Sequence, residues 1–116
     1  MLNVIIWIIC FLNGFTLVIE NIYLRDGIKE TIIEEFKQCL NPDRIYTHEN
    51  IALVAVVGCG MVKNIGVSAR VFKAIADAGI NVNMIDQGSS ELNIIIGVEN
   101  DEKGKCIRAL YNEFFN

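Results

Sequence analysis

After residue 51 the chain alternates short apolar, β-branched runs with stretches of helical period, in the order β-α-β-β-α. Ile51-Ala-Leu-Val-Ala-Val-Val57 is apolar at every position, which suits a central strand covered on both faces. Residues 58–66 form a glycine-bearing loop. A helix is predicted over 67–78, with Val67, Val71, Ala74, Ile75 and Ala78 facing inward. Gly79 ends it, because glycine adopts a positive φ at little cost. Residues 80–85 and 92–98 read as two strands around a polar turn. A closing helix is predicted over 101–115, with Ile107, Leu110 and Phe114 on one face. Gly104 weakens its first turn by about 1 kcal/mol relative to alanine.

The first half has a related order, β-β-α-β. Residues 2–11 read as a strand and Asn13-Gly14 as a turn, so residues 15–19 pair back as a hairpin. Residues 23–40 carry Leu24, Ile28, Ile32 and Phe36 at helical spacing, and Asn41-Pro42 stops that helix. Residues 44–48 fit a short edge strand and Glu49-Asn50 a turn. The two halves are alike at an offset of roughly 79 residues. Leu2-Asn3-Val4 matches Ile80-Asn81-Val82, and Leu17-Val-Ile-Glu-Asn21 resembles Ile96-Gly-Val-Glu-Asn100. Helices carrying Glu35-Phe36 and Glu113-Phe114 follow. On this reading the first copy lacks its opening strand and helix. The expected division is residues 1–50 and 51–116.

Composition narrows the function. At 116 residues and 53% hydrophobic, the chain has ample material for a packed core. Its net charge of −4, with no Lys/Arg-rich run, argues against a nucleic-acid partner. Cys10, Cys39, Cys59 and Cys106 are widely spaced, no CxxC occurs, and His48 stands alone. No metal or other cofactor is expected from that pattern, nor a disulfide framework; buried or half-buried thiols in a reducing cytoplasm fit better. The apolar run from Val4 to Leu12 is too short to span a bilayer, and the first basic residue is Arg25, so neither a membrane partner nor a signal peptide is expected.

Two groups of residues could hold a small ligand. The first is Gly58-Cys-Gly-Met-Val-Lys-Asn-Ile-Gly66 and the helix it enters. A helix start offers unpaired backbone N–H groups and the positive end of the dipole, which suits a carboxylate. Beyond Gly66, the N–H groups of Val67 and Ser68 are the expected donors, with Met61 and Ile65 as an apolar wall. The plainer alternative is that the glycines only permit a tight strand-to-helix turn. The second group is Asn81, Asn83, Asp86, Gln87, Ser89, Ser90 and Glu91. Asn81 and Asn83, two apart on a strand, face the same side. Side-chain amides both donate and accept, which suits a zwitterion. The alternative is a solvated strand face followed by a polar turn. Arg70 and Lys73 read as solvated charges, Cys59 as an unremarkable thiol, and His48 lacks a visible partner for a catalytic dyad. No catalytic residue is expected.

The strings Ile51-Ala-Leu-Val-Ala-Val-Val-Gly-Cys-Gly-Met61, Gly66-Val-Ser-Ala-Arg-Val-Phe-Lys-Ala-Ile-Ala-Asp-Ala-Gly-Ile80 and Met84-Ile-Asp-Gln-Gly-Ser-Ser-Glu-Leu-Asn-Ile-Ile-Ile96 resemble the C-terminal ACT domain of aspartokinases. The resemblance implies an α+β, ferredoxin-like βαββαβ fold in tandem copies, one nearly entire and one truncated. It implies a regulatory module of the lysine, threonine and methionine pathway. Such a module senses an amino-acid effector, lysine or threonine, and forms a homodimer through ACT sheets or helices. Positions matching Asn83, Ser89, Ser90 and Glu91 belong to the family's inhibitor-site motif in the first ACT copy, and their use in the second copy varies. The kinase's Lys-Phe-Gly-Gly-Thr-Ser motif is absent, so the chain alone is expected to be non-catalytic, its partner being an aspartokinase catalytic domain. The rival expectation is a ligand-free structural module that dimerises or docks on a separate kinase subunit.

Overall fold

A computed structural model describes residues 3–9, 14–20, 23–24, 26–58, 60, 64–88 and 93–115. The chain divides into two compact units, Met1–Ile51 and Ala52–Asn116. Both are α+β.

In the first unit, β1 (Asn3–Ile9) and β2 (Gly14–Glu20) form an antiparallel pair, with Ile5 opposite Val18 and Ile6 opposite Leu17. The two strands do pair back as expected, but Gly14, expected in the turn, is the first residue of β2 and lies opposite Ile9; Asn13 lies outside the described residues. Helix α1 (Ile28–Leu40) starts five residues later than its apolar spacing suggests. Asp26 and Gly27 both take positive φ, 53° and 79°, so the backbone cannot be helical before Ile28. Gly27 O accepts the first bond, from Thr31 N at 3.1 Å. Asn41, left-handed at φ 45°, closes the helix by donating to Lys37 O at 3.1 Å, and Pro42 follows. Leu24, Ile32 and Phe36 pack with Leu17, Ile19 and Ile45, all partly buried. Ile28, expected on that face, is exposed.

The expected edge strand, turn and central strand are one element, β3 (Arg44–Val57). Glu49-Asn50 makes a bulge in it, not a turn. Between the pairs Ile5–His48 and Asn3–Ile51, β3 advances three residues while β1 advances two. Asn50 absorbs the extra residue with φ 59°. The strand order in this unit is β2-β1-β3.

In the second unit the order is β3-β5-β4. Helix α2 (Val67–Asp77) follows Gly66, whose φ is 89°. Its end is a double-bonded cap on Gly79 at φ 75°: Gly79 N donates to Ala76 O at 2.9 Å and Ile80 N to Ile75 O at 3.2 Å. The strand expected from residue 80 is regular only as β4 (Met84–Asp86), although Asn83 N already reaches Gly97 O at 2.7 Å. Residues 81–83 carry a local side-chain bond, Asn81 Nδ2 to Asn83 Oδ1 at 2.9 Å, of the kind that competes with a ladder. β5 (Asn93–Glu99) is antiparallel to β4, with Ile85 opposite Ile96. A 3-10 turn, Asn100–Glu102, leads into α3 (Lys103–Phe115).

The core of this unit joins Ala52 and Val54 of β3, Ile94, Ile96 and Val98 of β5, Val71 and Ile75 of α2, Ile80, and Cys106 and Leu110 of α3. Ile94, Ile96 and Val98 alternate along β5 and present one face to both helices. On α3 the buried positions are Cys106 and Leu110; Ile107, expected inside, is half exposed. The strands that the sequence repeat aligns also differ. β1 is bonded to both β2 and β3, whereas β4 ends the strand order beside β5. No helix among the described residues is long and apolar enough to cross a membrane.

Candidate functional site

Both ligand-binding groups expected from the sequence lie in the second unit, and one contact joins them. Ser68, in the first turn of α2, places Oγ 3.5 Å from Gln87 Oε1, the outer limit of a hydrogen bond. Nineteen residues separate the two in sequence. The mouth of α2 therefore faces the turn that follows β4.

At that mouth, Gly66 O accepts from Arg70 N at 3.0 Å, the first bond of the helix. The N–H groups of Val67 and Ser68 precede it and have no acceptor within the helix. Gly66 provides no side-chain cap for them. Gly66 takes a positive φ, and no described atom beyond its chain neighbours lies within 4 Å of where a β-carbon would stand on it. Ser68 and Val67 are half-buried, and Val67 also packs against the core. Ile65 does not form the expected apolar wall, since its side chain is fully exposed. Met61, Ser89, Ser90 and Glu91 lie outside the described residues.

Asn81 and Asn83 do share a side, as their mutual bond requires. Asn83 is not a solvent-facing strand residue, however. It is half-buried and its Nδ2 donates to Glu99 Oε1 at 3.2 Å. Glu99 at the end of β5 thus belongs to the polar cluster, and the sequence offered no spacing signal for it. Asp86 is exposed. Among the described residues no group of three His, Cys, Asp or Glu side chains could hold a metal ion.

The charges behind the mouth are organised. Arg70, expected to be merely solvated, donates from Nε to Glu113 Oε1 at 2.8 Å and from Nη2 to Glu113 O at 3.1 Å. Its guanidinium carbon sits 4.6 Å from the centre of the Phe114 ring. Lys73 pairs with Asp77 at 2.5 Å on the outer face of α2, and that hydrogen bond holds the ammonium pKa above its usual value. Beside these residues an open groove of ≈ 510 Å³ runs past Val54, Val56, Val67, Ile107, Leu110 and Phe114. Its apolar lining went unread in the sequence because half of it comes from α3 residues expected in the core. Of the cysteines, Cys106 is buried, and burial pushes its thiol pKa up; Cys39 is exposed, against expectation. Cys10 and Cys59 lie outside the described residues.

Comparison with known proteins places this geometry. The profile of the ACT domain matches residues 54–114. Aspartokinase 3 of Bacillus subtilis is 34% identical over 104 residues, which cover 90% of this chain and 23% of that protein. The crystal structure of Clostridium acetobutylicum aspartate kinase, described as an allosteric enzyme, superposes with a TM-score of 0.91 at 36% identity, covering 97% of this chain and 32% of that one. The regulatory subunit of aspartate kinase from Thermus thermophilus, in a ligand-free form, shares the fold at TM-score 0.73 and 17% identity, covering 97% of this chain and 93% of that subunit. The chain thus spans about a quarter of the first relative's length. With a profile matching more than half its residues, the chain belongs to the ACT-domain family, and its sequence similarity runs to aspartokinases.

Proposed function

We propose that this chain is an amino-acid-sensing regulatory region of an aspartate kinase, non-catalytic by itself. Residues 51–116 form one nearly entire ACT unit and residues 1–50 the remainder of a preceding one. The effector is lysine or threonine. Its carboxylate meets the N–H groups of Val67 and Ser68, and its ammonium meets the oxygens of Asn81, Asn83 and Gln87; Ser89, Ser90 and Glu91 are further candidates from the resemblance. The single observation that supports this reading is the approach of Ser68 to Gln87, which puts the helix's anion donors and one amide oxygen within one ligand's reach. Binding shifts a two-state arrangement of a dimer by differential affinity, and in a complete kinase that shift lowers aspartate phosphorylation.

Titration calorimetry of the chain with lysine, threonine and methionine tests this. A saturable heat with lysine or threonine is expected. Ser68→Asp adds a carboxylate that the helix N-terminus tolerates but that repels the effector's own, so affinity falls by at least about tenfold. Flat heats with all three amino acids would refute the reading.

A second reading is a ligand-free module that dimerises or docks on a kinase subunit in the cytoplasm. The observation favouring it is the outer stripe of α3, where Ile107, Tyr111 and Phe115 are all more than half exposed and the two aromatic rings stack at 5.0 Å. Light scattering separates the two: an oligomer indifferent to amino acids favours the second.

A further inference from the structure

We infer that Arg70 is a positioning residue that carries the state of the α2 mouth to the last turn of α3; this rests on the effector reading above. The backbone of Arg70 makes the first rung of α2, donating to Gly66 O at 3.0 Å, so its Cα follows any movement of the loop that enters the helix. Its side chain leaves that helix altogether. Nε and Nη2 hold the carboxylate and the carbonyl of Glu113, and the guanidinium face lies over Phe114. Three contacts on one planar, rigid group fix both distance and orientation. The Glu113 carbonyl is among the last four of α3, which have no partner within the helix, so Arg70 also caps that end. Elsewhere the two helices meet through apolar packing that includes Val71, Ile75, Cys106 and Leu110. The guanidinium grip adds a fixed distance and direction to that packing.

Stability alone is a weak account of this pair. The two side chains are 53% and 37% exposed, and exposed ion pairs contribute little. The position is what distinguishes it: two and three residues from the proposed carboxylate donors Ser68 and Val67 at one end, and on the wall of the apolar groove at the other.

Hydrogen exchange of the full chain, with and without saturating lysine, threonine or methionine, tests the link. In the unsubstituted chain the effector slows exchange by about fivefold at residues 64–70 and also at 107–115. Arg70→Ala keeps the first effect and loses the second. Arg70→Lys, which retains the charge but not the two-point grip, behaves like Arg70→Ala and carries the test if the alanine variant does not fold. Glu113→Gln, which loses the charge but keeps both acceptors, stays coupled; a purely electrostatic role predicts the reverse order for these two. The inference is overturned if Arg70→Lys leaves the response at 107–115 intact. It is also overturned if the unsubstituted chain responds at 64–70 alone, a result that spares the effector reading. No response at 64–70 with any of the three amino acids removes the effector reading and this inference with it.

Discussion

The two units use similar elements, and their described side chains reach different degrees of burial. In the first, Leu17, Ile19, Leu24, Ile32, Phe36 and Ile45 pack together while each keeps part of its surface in water. Among its described side chains only Ile51, at the boundary, is buried. In the second, Val71, Ile75, Ile94, Ile96, Val98 and Cys106 are at or near zero exposure. The difference follows from the layers. The second unit sets two helices against the alternating residues of β3 and β5, so each apolar side chain has neighbours on several sides. The first sets a single helix, with no buried residue of its own, against its strands. Among the described residues, paired helices go with full burial and a single helix with partial burial.

The largest test of this contrast is core truncation. Ile75→Ala should destabilise the second unit by about 2–5 kcal/mol, and Phe36→Ala the first by about half as much, because Phe36 already leaves part of its ring in water. Urea unfolding followed by peptide-resolved exchange separates the two transitions, and an inverted ranking would break the contrast.

Thiol accessibility gives a second measure. Cys39, exposed near the end of α1, should label at once, and Cys106 about a thousandfold more slowly, only when its unit opens. Burial raises the Cys106 pKa above its ordinary value of 9.0. The folded state therefore holds the proton longer than the unfolded one. Its contribution is fully present below pH 9 and is lost as pH rises through the raised value. The urea midpoint of the second unit should fall above that pH, and Cys106→Ala should remove the fall.

Backbone strain sharpens the comparison further. Gly79→Ala and Gly27→Ala each force a side chain into positive φ, at about 1–2 kcal/mol, in the second and first unit respectively. Equal costs registered in separate transitions would show that the units unfold independently; a single shared transition would show that they do not. Smallest of all, Lys73→Met should leave the midpoint unchanged within error, since its ion pair with Asp77 lies in water.

What the sequence revealed follows the same division between local and distant causes. Gly79 announced its helix cap because a single residue type serves that backbone state. The pairing of β1 with β2 was legible from two β-rich runs flanking a turn signal, although Gly14 itself is a strand residue. Glu49-Asn50 misled because Asn suits a turn and a bulge equally, and only pairing with β1 decides between them. Cys106 and Ile107 are both apolar, so helical spacing allowed either to face the core; packing against Val71 and Ile75 chose the first. Arg70 and Glu113 lie 43 residues apart, and no spacing rule connects them. In the candidate site, the start of α2 at Val67 was readable from the glycine before it. The engagement of Asn83 by Glu99 was not, because it depends on the register of β4 against β5.

The most direct test of the account is a two-dimensional amide NMR titration of the chain with lysine and with threonine. One of them should move the resonances of Gly66, Val67, Ser68, Asn81, Asn83 and Gln87 together, saturably, with a smaller displacement in the last turn of α3 and none in α1. Unmoved resonances at Val67 and Ser68, or changes confined to residues 14–50, would contradict it.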